Sequence, residues 1–424
     1  MITPMFQRSV LVLLAGLVLL MGQPAGAQEG RFIDVIKVSG PLDDRIIDFT
    51  IDTINDVAST SELIIIQLDS PAAVSDKLLD LTNLVANPPA PLAVWVGPET
   101  AVAYGGAVQL LGGSPIRLAA PGAEVGAISP IAFGEPTNSS EFPVQADPGL
   151  SNQQSVPADL FDERVVVERP IDGLVDEVHP ALTNIIQALD GTDVTLGDEV
   201  RTLEITALDD DDVRRPITAR FHEPGFVDRT LRLSLSPAVA YLFLLVGLSV
   251  AAFEFYAAGV GVAAAVSVLT LFLSGYGISE LPVNWWALGL GVLGLGLYLF
   301  DFQRIQLRFA SILGTVAMFV GARYFVHEPP QLSTTWWSAA LIVLGIALFF
   351  LFAMTTVVRA RFSTPTIGRE HLVGKTGVAE TAVTPEGVVV VDGARWKANS
   401  RRASGIEAGD QVVIAAVEGI ILEV

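Results

Sequence analysis

The sequence predicts three parts in series: an α/β lobe with a parallel sheet, an α-helical multi-span membrane bundle and a small all-β barrel. Three observations predict them. From Pro237 to Val358 the chain is apolar, and short polar or Gly/Pro-bearing breaks divide it into five runs. Each run is near the roughly 20 residues that a bilayer core of about 30 Å requires. Before that block, short continuous apolar runs alternate with segments of helical period, the pattern of parallel strands covered by helices. After it, five short β-type runs follow one another closely, as in a small closed barrel.

The N-terminus carries an export signal. Arg8 precedes the apolar run Val10–Met21, and Ala25-Gly26-Ala27 is a small-residue cleavage site. Residues 1–27 therefore read as a signal peptide, since the run is short for a span. The alternative is an uncleaved sixth span.

The lobe follows from Gln28. Phe32–Val38 reads as a strand ending in the turn Ser39-Gly40-Pro41. Asp43–Ser59 places Ile46, Ile47, Phe49, Ile51, Ile54 and Val57 at near-helical spacing. Leu63–Leu68 is continuous and apolar, as a strand buried on both faces must be. A helix over Val74–Val85, a strand over Leu92–Val96, a helix over Ala103–Leu111 and a strand over Ile116–Ala119 complete the alternation. From 198 to 236 the pattern turns to β-type alternation at Val200–Ile205, Val213–Phe221 and Phe226–Leu235, broken by the acidic run Asp209–Asp212. That stretch reads as a juxtamembrane linker of short strands or extended chain.

The membrane runs fall near Pro237–Tyr256, Gly259–Ile278, Val283–Phe300, Phe309–Val326 and Trp336–Val358. Arg304 and Arg308 follow the third, and Arg359 and Arg361 follow the fifth. The loops after the second and fourth carry no Lys or Arg but are flanked by Trp285, Trp286, Trp336 and Trp337. Lys and Arg gather on the cytoplasmic side and Trp at the interfaces. An odd number of spans then places the lobe outside the cytoplasm and the barrel inside it, in a multi-pass protein of the cell membrane. Arg229, Arg232 and Arg323 run against that bias. Gly289, Gly291, Gly294 and Gly296 fit close helix packing in lipid. Glu254 lies near the end of the first run, where a structural cap or contact is expected ahead of an ion pathway. Asp301 and Arg304 read as interfacial.

Composition narrows the function. The chain has 424 residues, 51% of them hydrophobic, and a net charge of -21. So acidic a chain is a poor partner for nucleic acid or anionic lipid. It contains no Cys, which removes thiol catalysis, thiolate metal sites and disulfides. Its four His are scattered, without H-E-x-x-H. No metal or cofactor is expected.

The stretch LIIIQLDSPAAVSDKLLDLTNLVANPPAPLAVWVGPETAVAYGGAVQLLGGSPIRLAAPGAEVGAISPI, with the later PIDGLVDEVHPALTNIIQALDGTDVTL, resembles the protease domain of NfeD-like membrane proteins. That resemblance implies a ClpP/crotonase-like fold over 28–197, a linker over 198–236 and five membrane helices over 237–358. LVGKTGVAETAVTPEGVVVVDGARWKANS and IEAGDQVVIAAVEGIILEV look like the family's C-terminal OB domain, over 366–424. The strands expected there are Val373–Glu380, Gly387–Val391, Arg395–Asn399, Gln411–Val417 and Ile420–Val424. Trp396 with Lys397, Arg401 and Arg402 is a thin basis for nucleic-acid binding, so protein interaction is the expected use. The family resemblance implies a partner of the stomatin/prohibitin/flotillin class, and self-association is also compatible with it.

Active members of the family pair a serine with a lysine base, and a Gly-Gly after Asp-x-Pro faces the oxyanion. Here the serine position falls on Tyr104, the glycine pair reads Ala72-Ala73, and no Lys occurs between Lys77 and Lys375. A covalent mechanism needs a nucleophile and an adjacent base. The reading is a degenerate peptidase with no catalytic residues, keeping a cleft for extended peptide at Pro71, Ala72, Ala73, Tyr104, Gly105 and Ser129. Its expected role is as a scaffold or partner-binding protein in membrane organisation or quality control. The alternative is an active serine endopeptidase with a displaced Ser/Lys site. Ser70, Ser75, Ser114 and Ser129 are its candidate hydroxyls, and Lys37 and Lys77 its candidate bases. Lys77 reads as a solvated charge, Ser114 as a turn residue and His179 as a surface or core histidine.

Overall fold

Strand order sets the architecture of the lobe. The computed structural model describes residues 31–424 except 133–140, 146–153, 198, 209–213, 258–260, 304–308, 327–328, 357–368 and 401–404. The expected signal peptide, Asp209–Asp212, Arg304, Arg308, Arg359, Arg361, Arg401 and Arg402 lie outside the described residues, as does much of the segment where the resemblance places a lysine.

The first half of the lobe contains β1 (Phe32–Ser39), α1 (Asp44–Val57), β2 (Ser61–Asp69), α2 (Leu78–Ala86), β3 (Leu92–Val96), β4 (Val102–Tyr104), α3 (Gly106–Gly113) and β5 (Ile116–Ala119). The second half adds β6 (Glu124–Gly126), β7 (Val144–Gln145), β8 (Gln154–Ser155), β9 (Arg164–Val166), β10 (Glu177–Val178) and α4 (Leu182–Leu189). Then come β11 (Asp193–Leu196), β12 (Glu199–Thr202), β13 (Thr206–Leu208), β14 (Arg214–Pro216) and β15 (Ala219–His222).

The main sheet runs β10-β5-β3-β2-β1-β15, and every pairing in it is parallel. Leu63–Ile66 of β2 are fully buried, because a central parallel strand is covered on both faces and β-branched side chains pack well there. A second sheet, β4-β6-β9, starts where β2 ends: Ser70 bridges Ala103, and Asp69 Oδ1 accepts the Val102 N–H at 3.0 Å. This layered lobe has the α/β architecture with a parallel sheet that the alternation implied.

Three local expectations need correction. The helix expected over Ala103–Leu111 begins only at Gly106, because Val102–Tyr104 pair with β6 as a strand. The helix expected from Val74 begins at Leu78. Phe226–Leu235 is helical, not extended: α5 (Phe226–Arg232) is followed by a 3-10 turn over Leu233–Leu235. Tertiary contact overrides the weak β pattern there, as Arg232 is drawn to Asp43.

The linker is also no free tether, since β15 is an edge strand of the main sheet. A buried cluster clips it down. Asp34 is fully buried, and its oxygens accept from Arg220 Nε and Nη2, both at 2.7 Å, from Ser61 Oγ at 2.7 Å, and lie 2.7 Å from His222 Nε2. Burial alone would raise this carboxyl, but the Arg220, His222 and Ser61 contacts outweigh it and hold it below the usual carboxylate range. Its contribution to stability is therefore complete above the unfolded value of about 4 and disappears as pH falls through the lower folded value. Asp34→Asn is expected to cost about 2–3 kcal/mol at neutral pH, because Arg220 is partly solvated and the loss falls at the low side for a buried pair. Pulsed hydrogen exchange on β1 and β15 of the full chain between pH 3 and 7 checks it: the wild type should approach the variant as pH drops.

The membrane helices are α6 (Pro237–Ala257), α7 (Val262–Glu280), α8 (Trp285–Gln303), α9 (Phe309–Arg323) and α10 (Trp336–Leu348), the last continued by a π-helical turn over Phe349–Met354. All five predicted runs are helical. Among the described residues, four helical stretches are long and apolar enough to cross a bilayer, and α9, at 15 residues, is shorter. Helices α8 and α9 touch through glycine: a Cβ on Gly294 would lie 2.7 Å from the Gly314 carbonyl, and one on Gly314 2.6 Å from the Gly294 carbonyl. Glu254 accepts the Gly261 N–H at 2.8 Å, so it caps the start of α7. Asp301 is buried and accepts from Ser311 N–H (2.7 Å) and Oγ (2.9 Å), closing the α8–α9 hairpin. It is thus more enclosed than an interfacial position suggests.

The C-terminal unit contains β16 (Thr376–Ala379), β17 (Glu386–Val391), β18 (Ala394–Asn399), β19 (Gln411–Val413), β20 (Ala416–Glu418) and β21 (Ile421–Glu423). They form one sheet, β19-β16-β17-β18-β21-β20, curled over Val389, Val391, Ala398, Ile414 and Leu422. The strand expected over Gln411–Val417 is two strands, so there are six where five were expected. The result is a half-barrel consistent with an OB-like domain.

Candidate functional site

The site is built at the junction of β4 and α3. Chain direction reverses sharply at Gly105, whose φ of 56° and ψ of -130° belong to glycine. A Cβ there would sit 2.8 Å from the Pro130 carbonyl oxygen and 3.9 Å from Ala72 Cα. The next residue, Gly106, faces the Ile131 carbonyl and the Ala73 methyl. Ala72, Ala73, Gly105 and the 128–131 segment therefore converge, with exposed Ser129 at the rim.

The alanines fit their loop without strain. Positive φ among non-glycine residues is confined to Thr100, Ala127 and Asp392 in the described part, so the loop at 72–73 does not require glycine. Leu42 N–H donates to the Ala72 carbonyl at 2.9 Å and Val74 N–H to the Leu42 carbonyl at 2.9 Å. Among the described residues, the N–H groups of Ala72 and Ala73 enter no backbone hydrogen bond.

Tyr104 ends β4, and its ring is packed between Glu124 and Arg164. It is 5% exposed. Its hydroxyl donates to Glu124 on β6, and the Arg164 guanidinium from β9 lies 4.9 Å from the ring centroid. Burial first, and the Glu124 carboxylate second, push the phenol up to about 12. At neutral pH the phenolate is then a vanishing fraction, and Glu124 holds the neutral form. The three residues form a polar rivet joining the strands of the small sheet.

The other candidates are engaged elsewhere. Ser70 is fully buried and donates to the Ala72 carbonyl at 3.1 Å. Ser75 donates to Asp44 and accepts the Lys77 N–H at 3.1 Å. Lys77 Nζ sits 2.7 Å from Asp48 and 3.7 Å from Asp44, so it is the surface charge expected. Lys37 Nζ pairs with Glu223 at 3.2 Å. Ser114 donates to the Ile116 carbonyl at 2.8 Å and accepts the Val94 N–H at 3.2 Å, tying strands rather than merely turning. His179 Nε2 lies 2.7 Å from Glu177. The described residues contain no cluster of metal-ligating side chains.

Sequence reasoning missed Glu124, Arg164, Ala127 and Gln331. Ala127 has φ of 43°, and its carbonyl accepts from both Gly105 N–H (3.0 Å) and Gln331 Nε2 (3.1 Å). Gln331 belongs to the turn between α9 and α10. The membrane domain thus touches the backbone beside the elbow. No signal in the sequence links residues 204 positions apart. A separate cavity of about 610 Å³ opens beside β9, lined by Pro157, Leu160, Val166 and Pro170 among others.

Comparisons with known proteins agree with this layout. A model described as the NfeD integral membrane domain matches residues 238–356, and one described as the NfeD-like C-terminal, partner-binding domain matches 369–424. The membrane-bound protease PH1510 of Pyrococcus horikoshii is 23% identical over 393 residues, covering 85% of this chain and 86% of that protein. Among solved structures, the 1510-N membrane-bound stomatin-specific protease in complex with a substrate peptide is 20% identical, with a TM-score of 0.38 over 48% of this chain and 97% of that one. The C-terminal domain of stomatin operon partner protein 1510-C from Pyrococcus horikoshii is 33% identical over 13% of this chain and 89% of that one, with a TM-score of 0.13.

Proposed function

We propose that the chain, whose residues 238–356 and 369–424 match the NfeD membrane and C-terminal models, is a long-form NfeD-like membrane protein whose lobe keeps a peptidase shape without peptidase chemistry. It acts as a scaffold in membrane organisation or quality control, holding extended peptides or partner segments. The lobe faces outside the cytoplasm and the half-barrel inside, where a stomatin-type membrane protein docks. One observation carries this reading: the residue at the elbow is a buried tyrosine whose hydroxyl is committed to Glu124.

Peptide binding without cleavage is supported by the uncommitted N–H groups of Ala72 and Ala73 beside exposed Ser129. Backbone groups of that kind add an extended peptide as a strand. The competing reading, a displaced Ser/Lys endopeptidase, needs a serine oxygen on an ammonium group. Among the described residues, Lys37 and Lys77 are instead paired with carboxylates.

Titrating the full chain in nanodiscs with fluorescent peptides that tile the sequence of a stomatin-type protein tests the proposal. Anisotropy should rise with saturation while mass spectrometry finds every peptide intact. Newly cut peptide ends, or no binding by any peptide, would overturn it.

A further inference from the structure

The two faces of α5 are inverted relative to an ordinary surface helix. Its inner face is polar and locked to the lobe: Asp228 accepts from Arg45 at 2.8 Å, and Arg232 donates to Asp43 at 2.7 Å. Leu231 is the buried apolar residue between them. Its outer face carries Phe226, 77% exposed, and Val227, 65% exposed, and the following 3-10 turn adds Leu233, 58% exposed. Phe226, Thr230 and Leu233 are spaced by four and three residues, so they line one side of the helix, with Arg229, held by Glu223 at 3.3 Å, beside them and Val227 on the flank toward Leu231. Such an apolar face needs an occupant.

Place in the chain identifies that occupant. Leu233–Leu235 leads into α6, a membrane helix starting at Pro237. A Cβ on Gly277, in the last turn of α7, would lie 2.3 Å from the Ser234 carbonyl oxygen. Tyr276 in that turn donates to Asp43 at 3.0 Å, and Arg45 lies 5.6 Å from its ring centroid. The helix is thus pinned level with the lobe-side end of a span. Trp285 and Trp286 open α8 just after that end, and both are exposed, as side chains at a membrane–water interface are.

We infer that the outer face of α5 lies in the bilayer interface on the lobe's side, with phospholipid as its occupant. Phe226, Val227 and Leu233 enter the headgroup–acyl boundary, and the Asp43 and Arg45 contacts hold the helix in the membrane plane. The inference depends on the membrane domain alone and stands whether or not the cleft binds peptide.

The natural absence of cysteine allows a direct test. Phe226→Cys, Val227→Cys and Leu233→Cys are spin-labelled in the full chain, in phosphatidylcholine nanodiscs. Ser59→Cys serves as the aqueous reference and Leu269→Cys as the lipid reference. Collision rates with oxygen and with a nickel chelate are then compared. The three α5 labels should show an oxygen-to-nickel ratio several-fold above that of Ser59→Cys, approaching Leu269→Cys. A ratio equal to the aqueous reference would overturn the inference. So would shielding from both reagents with dipolar broadening that disappears on dilution with unlabelled chain, which means a second copy occupies the face.

Discussion

Asp43→Ala is expected to cost about 3–5 kcal/mol, the range for breaking a buried ion pair by removing one partner. Asp43 is fully buried, and Arg232, its partner at 2.7 Å, is 9% exposed at the side chain. Arg232 also donates to the Ser39 and Pro41 carbonyls, both at 2.9 Å. The substitution strands a guanidinium among backbone oxygens and removes the acceptor of the Tyr276 hydroxyl. Because that node joins lobe to membrane helix, amide exchange should accelerate in α5 and in the first turn of α1 together. Tyr276→Phe removes one hydrogen bond and should cost about 1 kcal/mol. Equal exchange in Asp43→Ala and wild type would mean that the lobe is held by other contacts.

Gly105→Ala should be nearly as damaging, at about 3 kcal/mol or more, because it combines a disallowed backbone region with overlap against a fixed atom. The overlapping atom is the Pro130 carbonyl oxygen, which cannot rotate away as a flexible side chain would. Gly296→Ala is the control, since a Cβ there meets nothing within 4 Å. Thermal unfolding of the full chain in detergent checks both, with a clear fall in midpoint expected only for the first. A neutral Gly105→Ala would show that the elbow relaxes, and with it the placement of Tyr104.

Most of the fold was legible in the sequence because burial on both faces leaves a continuous apolar run, as in Leu63–Leu68, and because lipid demands long ones. What escaped was set by distant partners. Phe226–Leu235 has a weak β pattern, and its helix is fixed by Arg45 and Asp43, far earlier in the chain. Ala103–Tyr104 have a helical context, yet they pair with β6. The identities of Tyr104, Ala72 and Ala73 were plain in the sequence. The committed state of the phenol was not, since it depends on Glu124 and Arg164 from two other strands.

The proposed catalytic silence of the lobe is tested most directly by treating the full chain in nanodiscs with a fluorophosphonate probe and mapping adducts by mass spectrometry. The buried phenol on Glu124, with Ser70, Ser75 and Ser114 tied into backbone and carboxylate contacts and Lys37 and Lys77 paired with carboxylates, predicts no adduct on any seryl oxygen. A stoichiometric adduct at Ser70, Ser75, Ser114, Ser129 or any other serine would contradict it and mark the lobe as an active hydrolase.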